Sequence, residues 1–172
     1  EPASVREWGR YLGRMNKLTL DYRPAPSIEP RPEWDQEEML ACALRAAEPG
    51  DALPYRRLNE LLEWLRLLPR TPDGYGLVHA DLHTGNFFVD ERGMTAFDFD
   101  DSCRHWHGYD LATPLYQLLW TEGAEAGARE RADAFLDAYL AEHALAPAWT
   151  KRLEGFALYR TAIVYHWIKD SL

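Results

Sequence analysis

His79-Ala80-Asp81-Leu82-His83-Thr84-Gly85-Asn86 runs directly into Phe87-Phe88-Val89-Asp90, and a turn later the chain reads Ala96-Phe97-Asp98-Phe99-Asp100-Asp101. Gly76 to His79, Phe87 to Asp90 and Met94 to Phe99 have the apolar and aromatic content of short strands, with Glu91-Arg92-Gly93 as the turn between the last two. A hairpin there returns Asp98 to the level of Asp81 and Asn86. The Asn86 amide oxygen and the Asp98 carboxylate are hard oxygen donors, the ligand type that suits Mg²⁺ shared with substrate phosphates. Asp81 stays available to take a proton from an attacking hydroxyl. Bridged phosphate, positioned nucleophile and nearby base are the parts of phosphoryl transfer.

Outward from this stretch the pattern is helical. Ser4 is placed to cap a helix with Val5, Trp8, Leu12 and Met15 at three- and four-residue spacing. Pro24-Ala25-Pro26 and Pro30-Arg31-Pro32 make a rigid extended connector. A second helix is expected from Asp35 to Pro49-Gly50. A third should run from Pro54 to near Pro69, with Tyr55, Leu58, Leu61, Leu62 and Leu65 on one face. Helix resumes at Tyr109, and Ala128, Ala132, Phe135, Leu136, Tyr139 and His143 form an apolar stripe. Pro147 opens a last helix with Phe156, Ile163, Val164, Trp167 and Ile168, apolar nearly all round and so expected to be buried. The fold class is α+β, predominantly α.

At 172 residues the chain suits a single domain, residues 1–172. Its 47% hydrophobic content and seven Trp are enough for a real core. Lys+Arg 19 against Asp+Glu 28 leaves a net charge of −9. That balance excludes nucleic acid as a partner, because phosphate binding needs the opposite sign. It favours a cationic small molecule or a divalent metal. Cys42 and Cys103 cannot build a disulfide framework, which fits a reducing, cytoplasmic setting. No apolar run approaches the ~20 residues of a membrane span. The start at Glu1-Pro2 without Met, and a last helix running to Leu172 without a stop signal, read as two cut ends.

The octapeptide His79 to Asn86 resembles the His-Gly-Asp-Leu-His-Pro-Gly-Asn catalytic loop of the aminoglycoside phosphotransferase and choline kinase-like family, itself similar in fold to the protein kinases. Phe97-Asp98-Phe99-Asp100-Asp101 resembles that family's metal-binding strand end. Tyr109-Asp110-Leu111-Ala112 matches the Tyr-Asp-Leu-Ala that follows it. Gly9-Arg10 to Asn16 resembles its Gly-Arg-x-x-x-x-Leu-His helix. The resemblance covers most of the chain, all of it in the family's C-terminal lobe. It implies the C-terminal lobe of a protein-kinase-like fold, with a short β-hairpin carrying the catalytic loop and metal site. It further implies a phosphotransferase using ATP and Mg²⁺ on the hydroxyl of a small-molecule acceptor. Asp81 would be the catalytic base, and His83 would contact the transferred phosphate. Asn86 and Asp98 would bind the metal and, through it, the nucleotide. His79 would brace the loop, Asp100 would support the metal strand, and Asp110 would accept hydrogen bonds from the loop backbone.

Three residues depart from the family pattern: Ala80 stands for Gly, Thr84 for Pro and Asn16 for His. Ala80 is tolerable only if the loop keeps a negative φ there. A larger departure is an absence. The three lysines, Lys17, Lys151 and Lys169, lie in helical patterns, and Gly74-Tyr75-Gly76 precedes the catalytic strand. The N-terminal nucleotide-binding lobe is therefore expected to be missing from this chain, which alone would transfer phosphate poorly. Three alternatives stay open: a kinase of protein Ser/Thr hydroxyls, a non-catalytic lobe, and a metallohydrolase on His79, Asp81 and His83 with His105 and His107. Arg104 to His107 either face substrate or pack on the helices, and the two thiols should be buried or half-buried.

Overall fold

The structure, a computed structural model, describes residues 2–121 and 127–170. Helix α1 (Pro2–Thr19) is followed by α2 (Glu38–Ala46) and α3 (Ala52–Arg66). Strands β1 (Tyr75–Val78), β2 (Phe87–Asp90), β3 (Gly93–Ala96) and β4 (Cys103–Trp106) come next. Helix α4 (His107–Tyr116), which carries Pro114 in its last turn, widens into a π turn at Gln117–Thr121. Then α5 (Ala128–Glu142), the single turn α6 (Pro147–Thr150) and α7 (Leu153–Asp170) complete the chain.

The expected helices form, with boundaries set by caps. Ser4 lies inside α1. The second helix starts at Glu38, because the Glu37 carboxylate caps it by accepting from the amides of Met39 (2.7 Å) and Leu40 (2.8 Å). Asp35 sits in the preceding turn, closed by Gln36 N–H on the Glu33 carbonyl. Pro54 falls in the first turn of α3, where its missing N–H costs nothing.

The expected third strand ends at Ala96, short of Phe99, because Asp98 takes a left-handed φ of 63° that breaks the pleat. A fourth strand was not foreseen. Cys103–Trp106 pairs antiparallel with β1, from Tyr75 opposite Trp106 to Val78 opposite Cys103, while β2 and β3 form the expected hairpin. Of Arg104 to His107, only Arg104 is exposed, on Glu33; His105, Trp106 and His107 pack inward. Cys103 is buried and Cys42 half-buried, as expected.

The core joins Trp8 and Leu12 of α1 to Phe135 and Tyr139 of α5, and Trp106 and Tyr109 to Phe156 and Tyr159 of α7. Gly9 lets α1 and α5 touch: a Cβ there would stand 2.2 Å from the Phe135 carbonyl oxygen. The last helix corrects the expectation made for it. A turn at Lys151–Arg152 splits it into α6 and α7, and α7 packs on α2, α3 and α4 along one side only. Trp167 and Ile168 are therefore 46% and 48% exposed, while Arg160 and His166 are buried.

His107 and His143 form an internal pair, Nδ1 to Nε2 at 2.9 Å. Burial, then the neighbouring imidazole, pushes His107 down to about 3. The folded ring thus stays neutral where the unfolded ring takes a proton, so stability is lost as pH falls from 6.5 towards 3. Between those limits the native chain should lose about 1.4 kcal/mol per pH unit more than a His107→Asn variant in urea denaturation. Parallel slopes would refute this.

Candidate active site

β1 delivers the chain to His79-Ala80-Asp81, and the first turn of α4 holds it there. The buried Asp110 carboxylate accepts from Ala80 N–H (2.9 Å), His79 N–H (3.3 Å) and Asn16 Nδ2 (2.7 Å). Tyr139 donates in turn to Asn16 Oδ1 at 2.8 Å, so asparagine bridges the first helix to Asp110. Burial pushes the Asp110 carboxyl up, opposed by the Asn16 hydrogen bond, the neighbouring His79 and the two loop amides.

Ala80 contradicts the expectation of a negative φ. Its φ is +70°, a left-handed conformation that costs a non-glycine residue roughly 1–2 kcal/mol. Its N–H is fixed on Asp110 and its carbonyl accepts from Thr113 Oγ1 at 3.0 Å, so both sides of the strained residue are tethered. Thr84 has its own use. Its N–H donates to Gln117 Oε1 at 3.0 Å while Gln117 Nε2 bonds its hydroxyl, which ties the loop to the π turn. Proline could make neither bond.

Around Asp81 three of the sequence-named residues meet: His79, His83 and Asn86. Asn86 Nδ2 donates to the Asp81 carbonyl (2.9 Å) and to its Oδ2 (3.3 Å), leaving Oδ1 as the amide's acceptor. His83 Nδ1 accepts from Gly85 N–H at 2.8 Å, which puts its proton on Nε2, 3.5 Å from Asp81 Oδ2. His79 accepts weakly from Asp81 N–H through Nδ1 (3.4 Å) and donates through Nε2 to the Phe97 carbonyl (3.1 Å). It therefore braces the loop against the strand that ends in Asp98. Phe97 N–H on the Asn86 carbonyl (3.0 Å) closes the hairpin and sets Asn86 beside that strand end.

Asp98 and Asp100 are exposed, and Asp101 is half-buried. The Asp101 carboxyl is pushed up by burial and then by the Asp81 charge, with Arg160 opposing. Asp100 acts on this group only through its charge, and its carbonyl accepts from Arg31 at 3.3 Å.

Arg160 was missed in the sequence. Its Nη2 forms an ion pair with Asp81 Oδ1, from a helix 79 residues further on. The available signal was an arginine on the Phe156–Ile163 stripe, where a buried helix should carry only apolar residues. Arg160, Asp81, His83, Asp101, Tyr116 and Trp167 help line a pocket of about 560 Å³. Glu37 also lies close, its carboxyl pushed up to about 7 by burial against the pull of the Leu40 and Met39 amides.

The metallohydrolase alternative finds no support: among the described residues, no three His, Cys, Asp or Glu side chains converge on a metal position. A loop anchored on a buried aspartate, leading to a hairpin with a second aspartate just beyond it, is laid out as in the C-terminal lobe of a kinase-like fold. The chain belongs to the phosphotransferase enzyme family, which it matches over residues 1–153. It is 39% identical over 165 residues to the amicoumacin kinase of Bacillus subtilis (strain 168), covering 92% of this chain and 48% of that protein. It superposes in full, at TM-score 0.88 and 32% identity, on 53% of amicoumacin kinase hAmiN in complex with AMP-PNP, Ca²⁺ and Ami.

Two further structures share the fold. A microcompartment-associated aminopropanol kinase matches at TM-score 0.66 and 22% identity, over all of this chain and 55% of that one. Choline kinase LicA from Streptococcus pneumoniae matches at 0.67 and 16%, over 99% and 57%. The chain spans about half the length of the curated relative it matches.

Proposed function

We propose that this chain is the acceptor- and metal-binding lobe of a small-molecule kinase, which moves the γ-phosphate of ATP to a hydroxyl. The observation that carries the reading is Asp81, fixed by Asn86 on one side and Arg160 on the other, at the wall of a 560 Å³ pocket. An acceptor hydroxyl entering that pocket meets Asp81 as its base, with the His83 Nε2 proton beside it for a phosphate oxygen. Asn86 Oδ1 and the Asp98 carboxylate are the hard donors that would hold the divalent metal, Mg²⁺ by that chemistry. When bound, the metal neutralises phosphate charge. A relative solved with AMP-PNP and Ca²⁺ supports both the nucleotide and a divalent ion.

The nucleotide-binding lobe is the partner this reading needs. On and just beyond the β2–β3 hairpin, Phe88, Val89, Phe97 and Phe99 are each 41–51% exposed, apolar surface that a second lobe would cover. Among the described residues no helix is long and apolar enough to cross a membrane. With two free thiols and ATP as donor, we place the work in the cytoplasm.

The likeness to amicoumacin kinases makes amicoumacin the first acceptor to try, and the −9 net charge favours a cationic one generally. The test is transfer from ATP with Mg²⁺, in the longest gene product carrying this chain, to amicoumacin, aminopropanol and choline. Transfer to amicoumacin should exceed the others by about tenfold or more. No transfer to any of them, with labelling of protein serine or threonine instead, would move the enzyme to the protein-kinase alternative. No transfer at all would favour the non-catalytic one.

A further inference from the structure

We propose that Arg160 is a positioning residue for the transfer step, acting through Asp81 and not on either substrate; this rests on Asp81 being the base. A carboxylate at the end of a short side chain has a broad, two-fold torsion, so its oxygens are poorly aimed unless something holds them. Here the two oxygens are assigned different tasks. Oδ1 is taken by Arg160 Nη2, and Oδ2 is left toward Asn86 and His83.

The energetics of Arg160 do not fit a structural role. Its side chain is 8% exposed, and burying a guanidinium costs several kcal/mol before any partner is counted. Its other contacts are weak: Nη1 reaches the Tyr109 hydroxyl at 3.4 Å and the Met39 sulfur at 3.2 Å. Nε is buried with no hydrogen-bond partner. A structural arginine would satisfy its fork, and an apolar side chain on this stripe would hold α7 at lower cost. Asp101 and Glu37 lie close enough to feel the charge, yet the hydrogen bond goes to Asp81. The helix that carries Arg160 is itself clamped on α2, α3 and α4, so the guanidinium is presented from a rigid platform.

The test compares Asp81→Asn, Arg160→Met and the double variant in the longest gene product, with ATP, Mg²⁺ and amicoumacin. It reads kcat, both KM values and thermal unfolding. Arg160→Met should still unfold cooperatively and lose about 100-fold in kcat, the cost of a misaimed group, with both KM values within about threefold. Added to Asp81→Asn, it should cost less than about threefold more, because two residues acting as one unit are not additive. Arg160→Lys, which keeps charge and one donor, should recover at least about a tenth of the parent kcat.

Additive losses in the double variant overturn the proposal. So does a raised acceptor KM at unchanged kcat, which would make Arg160 a substrate contact. Parent-like kcat in Arg160→Met overturns it as well. Should Arg160→Met fail to fold, the cycle of Arg160→Lys with Asp81→Asn decides in the same terms. A harmless Asp81→Asn would remove the proposed function itself; a damaging one with an independent Arg160 effect removes only this inference.

Discussion

Asp81→Asn should lower turnover by about 10²- to 10⁴-fold while KM for ATP stays close to its parent value. The amide keeps the shape of the carboxylate and still offers an oxygen to Arg160, but it cannot take the acceptor's proton. Arg160 then faces a neutral partner in a buried position, so stability should drop by about 1–3 kcal/mol without loss of cooperative unfolding. Steady-state kinetics and urea denaturation on the same preparation separate the two effects. Turnover within about tenfold of the parent would remove Asp81 from its role.

The second large effect is on folding. Asp110→Ala strips the acceptor from Ala80 N–H, His79 N–H and Asn16 Nδ2 at once, all in the interior. Each orphaned buried donor costs about 1–3 kcal/mol, and partial relaxation brings the sum to about 3–5 kcal/mol. For a chain of this size that is roughly 10 °C in Tm. The strain at Ala80 makes the loss functional too. Its φ of +70° is held by the Asp110 and Thr113 bonds, and with the first gone the loop can relax and carry Asp81 away from Asn86. A loss under about 1 kcal/mol by thermal and urea unfolding would show that Asp110 is not the anchor.

Much of the candidate site's layout was legible because its residues are close in sequence. Asp81 and Asn86 are five residues apart on one loop, and the hairpin returns the chain so that Phe97, the neighbour of Asp98, bonds Asn86. Their spacing is the geometry. The helices were legible for a related reason: Trp8, Leu12, Phe135 and Tyr139 fall on faces that periodicity alone defines.

Other features had no local signature. β4 reads as a loop of bulky residues and becomes a strand only because β1 offers it a free edge. The last helix looked buried all round because composition does not say how many sides have neighbours. Ala80 was expected to need a negative φ, yet two tertiary hydrogen bonds impose a positive one.

The sequence by itself thus determined which groups the candidate site offers: carboxylates, an amide and an imidazole at fixed spacing, on a helical domain with a hairpin. Only the tertiary structure decided which groups hold those side chains and their loop. It set Arg160 of α7 on Asp81, Asp110 of α4 under the loop, and Gln117 against Thr84. The reason is physical. Backbone periodicity and turn chemistry act over a few residues, whereas burying a guanidinium or anchoring strained backbone requires partners that folding brings from 30 to 79 residues away.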